Sequence, residues 1–443
     1  MKKTFVTLIN LFALTWMCNG NNLSVPQDTA WTLEKCIGYA LEQNIQVRKS
    51  SLYNETSVLY ADQAKAQRFP SLSASVNQNF NWSRSNAPAN GSLTGSNGTS
   101  YSINSGVTLF NYSRINNLIK QAELDIQSGV YSLETTKESI SLSILNAFLQ
   151  VLYANEQVKN SMKQMESTEG QLSLAAERLA LKGISQADYS QVNSQLASEK
   201  LNLANARNQL AIARVNLMQL MELPVTPDFE IAQPDLDENI NQNRIPDVKT
   251  VYETALSIKP QIKNAAVNKE IAALDEDIAR AGYYPVLSAS AGIGSSYSSL
   301  VTDPYFSQVN DGIRPGVGFA LAIPIYQKKQ VKTSVAVSKI NYLNAGLNEI
   351  DTRNQLRKSI EQACQDVISA QIEYEASVQK YEAVNESSML SDEKFRQGLI
   401  NSVDYLVQKT NLIVAESQLL QSKYNLIFSY KIMDFYMGVP FTL

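Results

Sequence analysis

The chain contains a second copy of itself. From Gly183 to Pro224 it reads GISQADYSQVNSQLASEKLNLANARNQLAIARVNLMQLMELP, and from Gly398 to Pro440 it reads GLINSVDYLVQKTNLIVAESQLLQSKYNLIFSYKIMDFYMGVP. Aligned on Asp188-Tyr189 and Asp404-Tyr405, the copies run without a gap to Pro224 and Pro440. Leu196, Leu203, Leu210 and Leu217 fall on Leu412, Leu419, Leu426 and Met433. Small residues follow at a steady distance: Ala206 and Ala213 in one copy, Ala415, Ser422 and Ser429 in the other. A large apolar residue at every seventh position, with small ones beside it, is a coiled-coil seam. The start of each half matches too, Ala40-Leu41 and Gln46 with Ala255-Leu256 and Gln261. Whatever the first half folds into, the second half must fold into again.

Proline placement sets the scale of the helices. None occurs between Pro88 and Pro224, nor between Pro324 and Pro440, and both runs are rich in Ala, Leu, Gln, Ser, Glu and Lys. This predicts long helices at about 112–182 and 186–221, and again at 328–396 and 402–437, with shorter ones at 32–68 and 248–283. Pro260 should begin or kink the last of these. The longest helices would be about 105 Å. The chain divides into a leader (1–20), a first repeat (21–224), a linker with Pro227, Pro234 and Pro246 (225–246), a second repeat (247–440) and a short end (441–443).

Between the first two helices of each half the period changes from helical to two. Leu72, Ala74, Val76, Phe80 and Trp82 alternate with Ser73, Ser75, Asn77, Asn79 and Asn81; Tyr101, Ile103, Val107 and Leu109 alternate with Ser102, Asn104, Gly106 and Thr108. The second half repeats this with Leu287, Ala289, Ala291, Ile293 and Tyr297, then Val317, Phe319, Leu321, Ile323 and Ile325. Strict alternation predicts strands with one apolar and one small or polar face. The Asn-, Ser-, Gly- and Pro-rich segments 84–100 and 299–314 are expected to be exposed loops. The fold class is therefore mainly α with a small β part.

Aromatic residues bracket the strands: Phe69, Phe110, Tyr284 and Tyr326 at the helix end, Phe80, Trp82, Tyr101 and Tyr297 toward the loops. Two such belts mark a lipid-facing barrel; a soluble sandwich layer is the other reading. Four strands cannot close a barrel, and an open edge in lipid is prohibitively costly. Membrane strands here require sister subunits: two copies supply eight strands, three supply twelve, and the long helices then pool into a tube.

The address agrees with export. Lys2 and Lys3 precede an apolar run from Thr4 to Met17, too short to span a bilayer, with Cys18 and Gly20 at the spacing of a cleavage site. Cys18 is alternatively a lipidation site, although Met17 stands where such sites carry a small residue. A formal net charge of −4 leaves no basic footprint for nucleic acid. The chain has no histidine, which removes the commonest general base and metal ligand. Ser377-x-x-Lys380 and Ser391-x-x-Lys394 fall inside a helix, Gly292-x-Gly294 and Gly316-x-Gly318 fall at strand period, and Asp275, Glu276 and Asp277 read as a solvated face. No catalytic, cofactor-binding or metal-ligating constellation is expected. Cys36 and Cys364 read as two buried thiols, with one disulfide as the alternative.

The order of these features, twice over, resembles the TolC family of outer membrane efflux ducts. The resemblance is carried by Phe69-Pro70 and Tyr284-Pro285 at the strand entries and by the Ala-Leu…Lys-Pro-Gln segment at 255–261. The turn at 397–406 and the closing Gly438-Val439-Pro440 add to it. It implies a homotrimer in the outer membrane of a Gram-negative bacterium, with a twelve-stranded barrel on a long periplasmic helical tunnel. The tunnel tip would meet a periplasmic adaptor and an inner-membrane pump, and residues 225–246 would lie in a belt part-way down. Adaptor contacts are implied at Gly183, Ile184 and Ser185, and at Gly398, Leu399 and Ile400, where each glycine is also expected to end its helix in a left-handed conformation. The periplasmic entrance is implied at Asp404, with Asp188 its partner in the first repeat; both also read as helix caps, after Asn401 and Ser185. The family's second acid is Val407 here, a basic residue of its closed-state lock is Ile400, and Phe395 stands in place of a tyrosine. The rival reading is a trimeric coiled-coil stalk without a bore.

Overall fold

In the computed structural model the described residues are 30–84, 93–226, 229–234 and 247–442. Residues 1–29, with the expected leader and Cys18, and most of the linker lie outside them. The first half contains α1 (Leu33–Gln43), α2 (Ile45–Ala66), β1 (Ser71–Arg84), β2 (Leu93–Phe110), α3 (Arg114–Ala180) and α4 (Gln186–Leu220). The second contains α5 (Val248–Ile258), α6 (Pro260–Arg280), β3 (Val286–Ser298), α7 (Tyr305–Asp311), β4 (Arg314–Ala322), α8 (Gln330–Arg396) and α9 (Ser402–Met437).

Two 67-residue helices, α3 and α8, form the long members of the shaft, each about 100 Å. Helices α1, α2 and α4, of 11, 22 and 35 residues, together match α3 in length and pack along it. The expected helix at 32–68 is broken at Asn44 and the one at 248–283 at Lys259. Asn44 caps α2, its Oδ1 accepting from the Gln46 amide at 2.9 Å, while its Nδ2 donates to the Leu220 carbonyl at 2.9 Å. Pro260 opens α6 at the first helical position, where its missing N–H costs nothing.

Near the strands the helices form a row in the order α2, α3, α6, α8; toward the far end the row is α4, α3, α9, α8. The seam residues Leu196, Leu203, Leu217, Ala206 and Ala213 are buried, as are Leu426, Met433, Ala415 and Ser422. The core lies half-way along the shaft. There Leu33 and Cys36 of α1 meet Ile144, Leu145, Phe148 and Leu152 of α3, Leu217 and Met218 of α4, and Phe229 and Ile231 of the linker. Linker residue Ile231 pairs in parallel with Trp31, which packs edge-on to Tyr39 at 5.5 Å. A matching cluster joins Val251 and Ala255 to Leu356, Ile360, Cys364 and Met433. Each large side chain buried here contributes about 1.5–3 kcal/mol. Cys36 and Cys364 are free, buried thiols.

The strands form one antiparallel sheet in the order β1-β2-β3-β4. Register places Val76 beside Tyr101 and Ser295, and Leu72 beside Ser105, Ala291 and Val317, so the apolar alternations share a face. That face is bare over most of its area: Leu72 is 77% exposed, Phe319 73% and Trp82 70%. This overturns the sandwich reading. The loop expectations also need correction. β2 begins at Leu93, because the Gly-rich stretch lies flat against β1, with Gly95 beneath the Trp82 indole. The other loop holds α7, β4 begins at Arg314, and the strand stops at Ala322, short of Ile325.

Each half steers its chain with the same left-handed residues. Tyr112, Ser113, Lys182 and Glu222 have φ of 51, 61, 56 and 56°; Lys328, Lys329, Gly398 and Gly438, their counterparts, have 48, 66, 74 and 76°. The first two of each set turn a strand into a long helix, the third turns the shaft at its tip, and the fourth ends the return helix.

Candidate functional site: the tip of the shaft

At the end of the shaft remote from the sheet, α3 turns into α4 and α8 into α9 through the same six-residue closure. Gly183 N–H donates to the Arg178 carbonyl at 2.8 Å and Lys182 N–H to Leu179 at 3.0 Å. In the second half Leu399 N–H donates to Lys394 at 2.8 Å and Gly398 N–H to Phe395 at 3.1 Å. This is the Schellman arrangement. The expectation for Gly183 is therefore corrected. Lys182 holds the left-handed position, and Gly183 follows it.

Both return helices are capped. The Ser185 hydroxyl accepts from the Asp188 amide at 3.1 Å, and the Asp188 carboxylate accepts from the Ser185 N–H at 3.2 Å. Asn401 Oδ1 accepts from the Asp404 amide at 2.8 Å, while Asn401 Nδ2 donates to the Asp404 carboxylate at 3.0 Å. Both acids sit in a first turn, where the helix dipole favours a negative charge. Asp404 is exposed and Asp188 half-buried; Ile184 and Ile400 are half-buried, and Leu399 is exposed.

Phe395 is buried, its ring stacked on Tyr405 at 4.5 Å with the planes 16° apart, beside Leu406 and Ile400. The first repeat reaches across to hold this cluster. Arg178 of α3 donates to the Phe395 carbonyl at 3.0 Å and to the Arg396 carbonyl, with its guanidinium 5.8 Å from the Phe395 ring. A cation there complements the negative end of α8. Gln171 of α3 donates to the Tyr405 hydroxyl, which donates to Asp392 at 3.4 Å. One helical turn further on, Lys409 of α9 is only 4% exposed. Its ammonium donates to Ser167 at 3.2 Å, Thr168 at 3.0 Å and Gln171 at 3.3 Å. Burial pulls the Lys409 pKa down, against the opposing pull of Glu199 and Asp392. Burial pushes the Tyr405 phenol up, and Asp392 adds to that.

The implied entrance and tip residues thus gather at one end, apart from the strands. Arg178, Gln171, Tyr405 and Lys409 escaped the sequence reading. Each makes a contact across the repeat, and periodicity within one helix carries no sign of that.

One end of this molecule is a bare apolar sheet with two open edges; the other is a pair of capped turns about 100 Å down a helical shaft. That is the class of an outer-membrane channel subunit with a large part below the membrane. The profile of the family Outer membrane efflux protein matches residues 36–222 and again 251–438, and the chain belongs to that family. It is similar to Outer membrane protein TolC of Escherichia coli, at 22% identity over 391 residues, covering 86% of this chain and 77% of TolC. Its fold is that of the CusC channel, with a TM-score of 0.78 at 15% identity, covering 94% of this chain and 96% of CusC. The Campylobacter jejuni CmeC outer membrane channel gives 0.77 at 14% identity, covering 94% and 90%. The chain is an outer-membrane efflux duct of a Gram-negative bacterium, with a large periplasmic part.

Proposed function

We propose that three copies of this chain close into one continuous duct, whose tip docks a periplasmic adaptor and receives cargo from an inner-membrane pump. The observation that carries this reading is a pair of matched open edges. The sheet ends at β1 and β4, and the helix row beneath it ends at α2 and α8. On α2, Ile45, Leu52 and Leu59 stand exposed one heptad apart; on α8, Ile340, Leu343, Leu347 and Ile350 do the same. Such stripes on the two ends of a row fit each other head to tail, a heterologous contact that closes a ring. Three copies give twelve strands and twelve helical columns. At about 9–10 Å between axes, those columns enclose a bore of roughly 25 Å after side chains are subtracted.

A bore that wide needs an entrance that narrows. We assign it to the tip, with Asp188, Asp404 and Phe395 at the constriction and the two turns, Gly183 to Ser185 and Gly398 to Ile400, as the adaptor contacts. The contacts from α3 to the second helix pair, through Arg178, Gln171 and Lys409, support a closed resting state: α8 and α9 cannot swing away from α3 without breaking them. With Phe395 in place of a tyrosine, the polar link passes through the Tyr405 hydroxyl instead.

Single-channel conductance in a planar bilayer tests this. The parent should conduct weakly, Arg178→Ala should raise the open probability several-fold, and Asp404→Ala should alter conductance or cation block. A purified trimer silent in the parent and in Arg178→Ala would leave a stalk without a bore. An unchanged Asp404→Ala channel would leave that acid as a cap alone. Gly398→Trp should abolish compound resistance without lowering the amount of trimer; retained resistance would remove the adaptor role of the turn.

A further inference from the structure

Helix α7 lies on the wrong side of the sheet for an ordinary extracellular loop. Its Tyr305 ring packs on Tyr297 at 4.7 Å, and its hydroxyl meets that of Tyr101. The Ser295 hydroxyl donates to the Val309 carbonyl. Register puts Tyr101, Ser295 and Tyr297 on the same face as Val76, Ile103, Ile293 and Val317. That is the apolar face, the one a barrel turns to lipid. The segment therefore folds back over the outside of the wall.

It is also built to stay there. Gln308 accepts from the Ser298 amide at 2.9 Å and donates to the Asp303 carbonyl at 2.6 Å, and Ser307 donates to Asp311 at 3.0 Å. Its height is set by the strand beneath. From Leu287 to Tyr297, β3 climbs roughly 25 Å at about 3.3 Å per residue and a tilt near 40°, the depth of the apolar band. α7 therefore sits at the outer boundary of that band. Around it the segment presents Leu300, Val301, Phe306 and Ile313 to the outside, and Phe306 is 84% exposed.

We propose that residues 299–313 are an interfacial anchor, with Phe306, Leu300 and Ile313 inserted at the headgroup–acyl boundary of the outer leaflet. The occupant is lipid, because these apolar residues stand on the lipid-facing side of the sheet, held at the Tyr101–Tyr297 rim just above the Ile103, Ile293 and Val317 rows. The segment has Asp303 and Asp311 and no lysine or arginine. It is held by apolar insertion, not by charge, and salt should not release it.

The test places a fluorophore on a cysteine at position 306 in the full-length protein, reconstituted into phospholipid vesicles. Parent protein labelled in parallel corrects for Cys36, Cys364 and Cys18. Phe306→Cys should lose at least half its emission to lipids brominated high on the acyl chain. It should lose less to deeply brominated lipids, and little to aqueous iodide, at low and high salt alike. Ile313→Cys serves as a second position. Val317→Cys, on the apolar face, and Gly316→Cys, on the opposite face with open space around it, are the controls. If position 306 is quenched by iodide like position 316 while position 317 is quenched by lipid, the anchor is refuted and the barrel face stands. If position 317 also behaves as aqueous, the assignment of the lipid face falls, and the anchor with it.

Discussion

The two halves of this chain share a backbone and differ in what fills it. Each left-handed residue in one half has its counterpart 216 positions away in the other, yet lysine stands opposite Gly398 and glutamate opposite Gly438. The bends belong to the topology, since a strand entering a 100 Å helix and a helix doubling back at the tip need them whatever the side chain. The halves part company where they meet. First-repeat α3 supplies Arg178, Gln171 and Thr168, and second-repeat α8 and α9 supply the Phe395–Tyr405 stack and Lys409. Lys409 is buried, whereas its counterpart Asn193 is exposed. Duplication made the frame, and divergence at the joint tied the two repeats together at the tip.

The largest difference should lie at the two helix breaks. Lys259 is nearly fully buried, 3.2 Å from Glu138 and 3.1 Å from the centre of the Phe435 ring. Burial pulls the Lys259 pKa down in spite of Glu138, so Lys259→Met loses an ion pair and a cation–π contact but also ends the burial of a charge, and should cost less than about 1 kcal/mol. The counterpart Asn44→Ala loses a cap and one further hydrogen bond, about 1–2 kcal/mol. Asn44→Ala should therefore melt below Lys259→Met; equal midpoints would mean that the breaks are alike after all.

The left-handed positions come next. Gly438→Ala combines a φ of 76° with a new methyl 2.7 Å from Ile258 Cδ1, and should cost more than Gly398→Ala, where nothing lies within 4 Å. The latter should lose about 1–2 kcal/mol. Lys182→Gly should gain up to about 1 kcal/mol, because the strain goes while the unfolded chain gains freedom that opposes part of the benefit. A destabilised Lys182→Gly would show that the lysine side chain, not its backbone, matters at that turn.

The smallest effect concerns pH. Burial lowers the folded pKa of Lys409, so the unfolded chain holds that proton more tightly. The folded state bears a charge-burial cost below the depressed pKa, and the cost fades as pH rises through it toward the unfolded value. The parent should therefore gain stability relative to Lys409→Met between pH 7 and pH 10. The midpoints of the two proteins measured side by side check the sign; a parent that loses ground would show the ammonium to be better solvated than its burial implies.

Much of the frame was legible before any coordinates. The absence of proline located α3, α4, α8 and α9, because a proline inside them would break the ladder, and Ser185 and Asn401 fixed where the return helices begin. Period-two alternation found four strands and the face they share. What stayed hidden had no periodic signature. Asn44 breaks a helix by capping the next, which looks like any polar residue on a solvated face. The glycines of 93–100 suggest a loop, but here they flatten β2 under Trp82. α7 is too short for a helical period to register. The caps at Asp188 and Asp404 were readable as local motifs, whereas Arg178 and Lys409 acquire meaning only once α3 and α9 lie side by side.

Closure into a duct requires the ends of the row to meet their counterparts in another copy. Leu52 and Leu343 lie at similar depth below the sheet, on α2 and α8. Protein carrying both Leu52→Cys and Leu343→Cys, treated with a short bis-maleimide, should give covalent dimers and trimers in denaturing gels, while each single variant stays monomeric. Cross-linked dimers from either single variant would mean that like edges meet like, and a double variant that stays monomeric would mean that these edges never meet.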